Sequence, residues 1–307
     1  MAEALNLQPL RGELRVNEPM AKHVSWRAGG PAAHTYAPAD LEDLCAFITT
    51  LSPTEDLYFV GLGSNLLVRD GGVRATVVFT HWALRQMRLL STGERNIEIH
   101  AGAGIASPKA ARFAALHGTE GAEFLAGIPG TLGGALAMNA GCYGGETWNL
   151  VSSVTTIDRA GILHQRDPSE YQIGYRTVIG PADEWFVSAT LTVLRAECDI
   201  DGVKSRNKIK ALLSKRIASQ PLQQANAGSV FRNPKGDHAA RLIEACGLKG
   251  SRIGGAEISH KHANFIVNTG TASAADIEDL IDLAQNTVRE KFGIELEREV
   301  RIIGERA

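Results

Sequence analysis

Cysteine is scarce in this 307-residue chain: Cys45, Cys142, Cys198 and Cys246 stand far apart, with no C-x-x-C pair among them. That spacing excludes a disulfide framework and the common zinc sites, leaving reduced, packed thiols. Net charge is nearly absent too, with 32 Lys plus Arg against 34 Asp plus Glu. No bulk field recruits nucleic acid or an anionic membrane, so an anionic ligand has to be met by a local site. No apolar run approaches the length of a membrane span, and the opening MAEALNLQPLRGELRVNEPM carries charges where a signal peptide needs a continuous apolar core. A cytoplasmic protein acting on small molecules is expected, without membrane insertion or a nucleic-acid partner.

The usual nucleotide fingerprints are missing as well. GLGSNLL, from Gly61, begins like G-x-G-x-x-G but has Leu66 where the third glycine belongs, and G-x-x-x-x-G-K-[ST] does not occur. H-E-x-x-H and G-x-S-x-G are also absent. His260 and His262 would share one face of a strand, yet no carboxylate or third histidine stands at a ligand spacing, so no metal site is expected.

What the chain has is glycine. GIPGTLGGALAMNAGCYGGE, Gly127 to Glu146, holds seven glycines in twenty residues. Glycine loses the most freedom on folding, so such a run is costly unless backbone must come close to something. Two glycine loops follow strands: Gly61 to Asn65, and Gly127 to Gly134 with the Asn139 to Gly141 turn behind it. Loops of this kind align backbone N–H groups around a diphosphate without a lysine, and bare backbone admits a flat ring. Arg27, in SWRAGG, adds a cation. Any single Gly-Gly pair reads as a tight turn between packed strands. Seven glycines interleaved with Ile128, Pro129 and Met138 favour a ligand cradle.

Around these loops the chain alternates helices and strands. PADLEDLCAFITTL places Leu41, Leu44, Cys45, Ile48 and Leu51 on one stripe behind an Asp40 cap. SPKAARFAALHG predicts a helix capped by Ser107, with Pro108 at its first position and Gly118 at its end. LYFVG, RATVVFT, NIEIHAGAG, SSVTTID and FVSATLTVLRAE read as strands, and the chain turns basic and helical near Asp201. DHAARLIEACG ends at Gly247, and a longer helix runs from a Ser273 cap to Gly293. In IELEREVRII, Leu296, Val300 and Ile302 share one strand face, with Glu297, Glu299 and Arg301 on the other.

Further motifs carry possible chemistry: Tyr175 and Arg176 in GYRT; Asn226, Ser229, Arg232 and Asn233 in NAGSVFRNP; and Glu299. Singly they read as a surface ion pair, a turn and a solvated edge-strand carboxylate. Basic residues at Lys215 and Arg216, and at His260, Lys261 and His262, would suit a phosphorylated substrate.

The ordered set SWRAGG, GLGSNLLVRDGG, GAEFLAGIPGTLGGALAMNAGCYGGE, GYRT, NAGSVFRNP and LEREVRIIG resembles the UDP-N-acetylenolpyruvoylglucosamine reductase family from about Val24 to Gly304. The resemblance implies an α+β fold: a two-subdomain FAD-binding region of the non-Rossmann, PCMH-type flavoprotein kind and a C-terminal α+β substrate domain. The expected segments are 1–80, 81–200 and 201–295, with a final strand in 296–307 returning to the first. It implies noncovalent FAD held by Arg27, Gly61, Gly63, Ser64, Asn65, Leu66, Gly127, Ile128, Gly130, Thr131, Gly133, Gly134, Asn139, Ala140 and Gly141. It further implies a monomer in which NADPH reduces the flavin and an enolpyruvyl sugar nucleotide reoxidises it. Arg176 and Glu299 match the family's stabilisers of an enolate-like intermediate, and Ser229 its proton donor. The expected substrate contacts are Tyr175, Arg216, Asn226, Gly228, Arg232, Asn233 and Lys261. Val178 stands where the family often has serine, and the short connection from Arg176 to Ser229 leaves little room for an inserted lid, which implies the shorter subtype. The alternatives are another FAD oxidoreductase of this fold group, acting on a sugar or alcohol, and an idle flavin- or nucleotide-binding scaffold.

Overall fold

The computed structural model describes residues 9–196, 199 and 201–307, so Cys198 and the first eight residues of the leader lie outside the described residues. Two compact units emerge, each assembled from separate stretches. Unit 1 takes the chain to Arg15, then His34–Gly61 and Ala75–Ile209; unit 2 takes Val16–Ala33, Leu62–Arg74 and Lys210–Ala307. The sequence predicts consecutive segments with boundaries near residues 80 and 200. The partition differs because two short N-terminal stretches find their hydrogen-bond partners in the last third of the chain.

In unit 1 an antiparallel sheet runs in the order Leu163–Arg166, Val151–Asp158, Glu184–Arg195, Asn96–Gly102, Met87–Thr92. Its strands alternate as expected, with Ile97, Ile99 and Ala101 buried along one face of Asn96–Gly102. Leu57–Val60 pairs in parallel with Val73–Phe79, in a second sheet ordered Glu13–Pro19, Pro31–Ala37, Val73–Phe79, Leu57–Val60. Helix α1 (Leu41–Ile48) starts at Asp40, whose carboxylate accepts the Asp43 N–H. Its Leu44, Phe47 and Ile48 pack with Tyr36, Leu57, Val78, Ile157 and Val187.

Helix α2 (Ser107–Leu116) departs from its predicted start. Ala106 occupies the cap position, and the Ser107 hydroxyl is buried without a hydrogen-bond partner among the described residues. The Ser107 N–H donates to Gly130 O at 2.9 Å, which draws the residue into the wall beside the glycine stretch. Helix α3 (Leu132–Met138) lies within that stretch, and helix α4 (Val203–Ser219) carries the basic run.

Unit 2 packs helices α5 (Ala239–Ala245) and α6 (Ala274–Phe292) into one core with the antiparallel strands Arg252–Ile253, Ala256–Ile258 and Ile266–Asn268. Ser273 and Asp276 form a capping box, and Gly293, at φ 66°, ends α6 as predicted. The expected final strand is broken: Arg298 forms an isolated antiparallel bridge with Phe231, and Arg301–Ile303 runs parallel to Leu66–Val68. His260 and His262 do not share a strand face. They lie in the connection after Ala256–Ile258, where Phe265 N–H closes onto His262 O at 3.0 Å, leaving His260 exposed and the His262 ring against Phe265. Among the described residues no helix is long and apolar enough to cross a membrane.

Asp43 joins three pieces of unit 1. Its carboxylate accepts from Arg11 N–H at 2.6 Å, Tyr36 O–H at 2.7 Å and Ala39 N–H at 2.9 Å. Burial pushes the carboxyl up, but these donors prevail and hold it below the usual carboxylate range. A depressed folded-state value contributes stability above the unfolded pKa of about 3.9, and that contribution fades as pH falls through the folded value. Asp43→Ala is therefore expected to lower unfolding free energy at pH 7 by about 1–3 kcal/mol, since it leaves the Tyr36 hydroxyl buried without its acceptor. Denaturant melts check this, with the difference from the parent shrinking below pH of about 3.9.

Candidate active site

The turn at the end of α3 organises the glycine-rich stretch of unit 1. Asn139 takes φ 43°, a left-handed conformation that asparagine tolerates better than most side chains. Its Nδ2 donates to Glu146 Oε2 at 2.9 Å and Gly174 O at 3.2 Å, and its Oδ1 accepts Trp148 N–H at 3.2 Å. Gly174 opens the two-residue turn Tyr175–Arg176 between strands Gln172–Gly174 and Thr177–Ile179. Arg176 also has a positive φ, 55°, and its guanidinium donates to Gly141 O at 2.8 Å and Asn139 O at 3.4 Å. The Tyr175 ring lies 5.0 Å from that guanidinium. Arg176, Asn139 and Gly141, distant in sequence, thus form one hydrogen-bonded cluster, with Tyr175 exposed beside it.

Most glycines of the run serve self-packing. A Cβ at Gly127 would sit 2.6 Å from Cys142 Sγ, one at Gly133 2.9 Å from Ala103 Cβ, and one at Gly145 2.4 Å from the Phe124 ring. Cys142 is itself engaged, donating to Phe124 O at 3.1 Å, in keeping with a packing thiol. The backbone donors near α3 are committed as well: Leu132 N–H to Ile105 O and Gly133 N–H to Ala103 O, each at 2.8 Å, and Gly134 N–H to Thr131 Oγ1 at 3.4 Å. Gly134 and Gly144 are the exceptions in space: a Cβ at Gly134 would meet only Thr131 Oγ1, at 3.8 Å, and one at Gly144 nothing within 4 Å.

Gly134 lines a cavity of about 440 Å³ together with Gly61, Thr131 and Gly133. Its lining also includes Val178 and residues that the sequence does not single out: Phe59, Thr156, Tyr171, Glu184, Trp185 and Phe186. Arg166 holds the Glu184 carboxyl below its usual range, and Thr156 O–H donates to the same carboxylate. The Tyr171 hydroxyl is buried with no partner among the described residues; burial, then the nearby Glu184 charge, pushes it up to about 12. The aromatic cluster in SEYQIG and DEWFV was the available signal, though its alternation reads equally well as strand packing.

In unit 2 the other glycine loop meets SWRAGG. Ser25 N–H donates to Gly63 O at 3.1 Å, and a Cβ at Gly63 would lie 2.2 Å from His23 O. The fully buried Trp26 is pinned at both ends, its indole N–H donating to Ile266 O and its carbonyl accepting Asn268 Nδ2, each at 2.8 Å. Arg27, next along, is exposed at φ 55°. Gly63, at φ 57°, and Ser64 keep N–H groups that take no backbone or side-chain acceptor among the described residues. Of the two loops, this one retains the geometry of an anion-binding nest.

Ser229 and Glu299 come together across backbone. Glu299 N–H donates to Val230 O at 2.7 Å, and Asn65 Nδ2 donates to Glu299 O at 3.0 Å. Asn264 clamps the other side of the serine segment: its carbonyl accepts Val230 N–H at 2.9 Å, its Oδ1 accepts Phe231 N–H at 2.9 Å, and its Nδ2 donates to Phe231 O at 2.8 Å. Nothing in the periodicity of HANF announces that role.

Several expected substrate contacts have structural employment in unit 2. Asn226 closes its own loop, donating to Pro221 O at 3.1 Å and Gln224 O at 2.7 Å while accepting Gly228 N–H at 2.9 Å. Asn233 accepts Ala239 N–H at the start of α5, Arg216 Nε donates to Gln220, and Lys261 Nζ reaches Ile217 O. Arg232 pairs with Glu297 at 3.3 Å. Gly228, at φ 78°, faces open space.

Comparison with known proteins defines the class first. A family model described as FAD binding domain matches residues 32–165, and one described as UDP-N-acetylenolpyruvoylglucosamine reductase, C-terminal domain, matches residues 220–303. With the α+β architecture, this is a flavin-dependent oxidoreductase fold without a Rossmann sheet. UDP-N-acetylenolpyruvoylglucosamine reductases of Thiobacillus denitrificans and Methylococcus capsulatus are 54% and 55% identical, each over 97% of this chain and over 94% and 95% of their own lengths. The crystal structure of UDP-N-acetylenolpyruvylglucosamine reductase from Thermus caldophilus is 30% identical with a TM-score of 0.77, covering 96% of this chain and 99% of that one. The chain belongs to the UDP-N-acetylenolpyruvoylglucosamine reductase family.

Asn139→Ala is expected to lower stability by about 2–4 kcal/mol, because the left-handed backbone keeps its strain while three hydrogen bonds are lost. Denaturant unfolding measures the loss. A variant of parental stability would show that the carboxamide bonds do not organise the segment.

Proposed function

We propose that this protein reduces UDP-N-acetylglucosamine enolpyruvate to UDP-N-acetylmuramate at the expense of NADPH, in the cytoplasmic assembly of peptidoglycan precursors. The observation that carries the reading is the 2.7 Å bond from Glu299 N–H to Val230 O, which makes the proposed proton donor Ser229 and the proposed stabiliser Glu299 neighbours in unit 2. The match of the substrate-domain model across both residues supports it.

The residues present suit noncovalent FAD. In unit 2, Gly63 and Ser64 offer N–H groups to a diphosphate, and Arg27 follows two residues after Ser25, whose N–H donates to Gly63 O. When bound, the cofactor accepts hydride from NADPH and delivers it to the vinyl carbon of the enolpyruvyl group.

The remaining work falls to side chains. As the vinyl carbon gains hydride, the electron pair moves onto the carboxylate, and the developing charge has to be met by fixed donors. Arg176 supplies a permanent cation on a turn already tied to Asn139 and Gly141. Glu299 helps the same charge only while its carboxyl holds a proton to donate. Ser229 gives its proton to the carbon beside the carboxylate, completing the saturated lactyl ether. A serine alone is a weak acid, so the step relies on the cationic and hydrogen-bonding surroundings of the hydroxyl.

Ser229→Ala is expected to retain flavin and its reduction by NADPH, while reoxidation by the enolpyruvyl sugar nucleotide falls by roughly a hundred- to ten-thousand-fold, as for loss of a general acid. Stopped-flow flavin absorbance resolves the two half-reactions. Unchanged rates in both would remove Ser229 from the mechanism, and a parent protein that binds no flavin would end the reading altogether.

A further inference from the structure

We infer that Asn65 is a positioning residue for Glu299, tying the Gly63–Asn65 loop to the backbone of the residue that stabilises the developing charge. The inference rests on the reading of Glu299 and Ser229 given above, and it adds a role that binding of the cofactor does not account for.

Asn65 grips the final segment twice. Its side-chain Nδ2 donates to Glu299 O at 3.0 Å, and its carbonyl accepts Arg301 N–H at 2.9 Å. Between those two contacts, Glu299 N–H and Val300 N–H both turn the other way and donate to Val230 O, at 2.7 and 3.4 Å. The peptide units around Glu299 are therefore held from opposite sides, by Asn65 and by the carbonyl next to Ser229. Beyond this point Arg301–Ile303 runs in register with Leu66–Val68, and before it the segment meets Val230–Arg232 through Arg232 N–H to Glu297 O and the Phe231–Arg298 bridge, so on the side of the Leu66 strand the Glu299 carbonyl is met by the Asn65 carboxamide. A carboxamide can supply that donor, and neither an aliphatic side chain nor a carboxylate can.

The consequence is coupling. The residue that carries the donor sits in the loop whose Gly63 and Ser64 N–H groups are proposed to meet the diphosphate, so ordering that loop also orders the Glu299 backbone. A displacement of about 1 Å at a catalytic group costs up to about a hundred-fold in rate. Loss of the Asn65 bond is accordingly expected to fall on the half-reaction that uses Glu299.

The test compares the parent, Asn65→Ala and Asn65→Asp, each loaded with one FAD per chain, from pH 8 to pH 5. In Asn65→Ala the rate of reoxidation by the enolpyruvyl sugar nucleotide should fall about ten- to a hundred-fold further than the rate of reduction by NADPH. In Asn65→Asp the same deficit should persist from pH 8 to pH 5, because a carboxylate with an ordinary pKa of about 3.9 stays ionised there and offers Glu299 O no donor. Hydrogen exchange on the apoproteins gives a readout independent of activity: amides of residues 297–301 should exchange faster in both variants at pH 8. If Asn65→Ala fails to fold, the isosteric Asn65→Asp carries the comparison.

Equal slowing of both half-reactions with unchanged exchange at 297–301 would overturn the inference and leave Asn65 as a cofactor contact alone. A parent that is not reoxidised by the sugar nucleotide would overturn the functional reading instead, while the exchange measurement would still decide whether Asn65 holds Glu299.

Discussion

The parallel pairing of Arg301–Ile303 with Leu66–Val68 is the contact on which unit 2 and its chemistry depend. One strand follows directly after Asn65 and the other directly after Glu299 and Val300, so a single register sets both ends of the proposed site. Side chains alternate along a strand, and a slip of one residue would turn every one of them to the opposite face. Arg69 guards against that slip: its guanidinium holds the nearly buried Glu278 carboxylate through two bonds, at 2.9 and 2.8 Å, and Gly304 O at 3.0 Å. The pair joins α6, the end of the Leu66–Val68 strand and the chain terminus. An ion pair of this kind specifies an arrangement more than it adds net stability, since desolvation offsets much of its attraction.

Elsewhere, asparagine side chains do what a sheet ladder does in regular structure. Asn139 ends α3 and binds the Tyr175–Arg176 turn; Asn264 pairs both ways with Phe231; Asn226 closes the loop before Ser229; Asn65 holds Glu299. Irregular backbone still has N–H and C=O groups to satisfy, and a carboxamide matches both with one planar group. The proposed site can therefore lie on loops, where side chains approach a ligand, while the loops stay fixed.

The glycines divide into two uses. Gly63, Gly127, Gly133 and Gly145 lack Cβ atoms because protein atoms already fill those positions, whereas Gly134 and Gly144 present open backbone. Concentration in the sequence pointed to close approach, and at Gly127, Gly133 and Gly145 what is approached is another part of the chain. The two glycine loops also differ in their free donors, because Leu132, Gly133 and Gly134 spend theirs on Ile105, Ala103 and Thr131.

The sequence by itself determined the local elements: Asp40 and Ser273 as caps, Gly293 as a stop, the alternation of Asn96–Gly102, and an order of motifs specific enough to name a family. These are legible because caps, periodicity and positive φ depend on near neighbours. The cap at Ser107 reads differently because a tertiary partner, Gly130 O, claimed its backbone N–H, and the histidine pair in ISHKHANF because Phe265 N–H closes a turn onto His262 O where a strand was expected. Only the tertiary structure decided which stretches share a unit, which backbone donors remain open, that Tyr171 and Glu184 line a cavity, and that Asn65 and Asn264 hold the segments bearing Glu299 and Ser229. Those contacts join residues up to 242 positions apart, as between Asn268 and Trp26. Pairing at that range is chosen by burial and by the need of each polar group for a partner, and no local pattern encodes it.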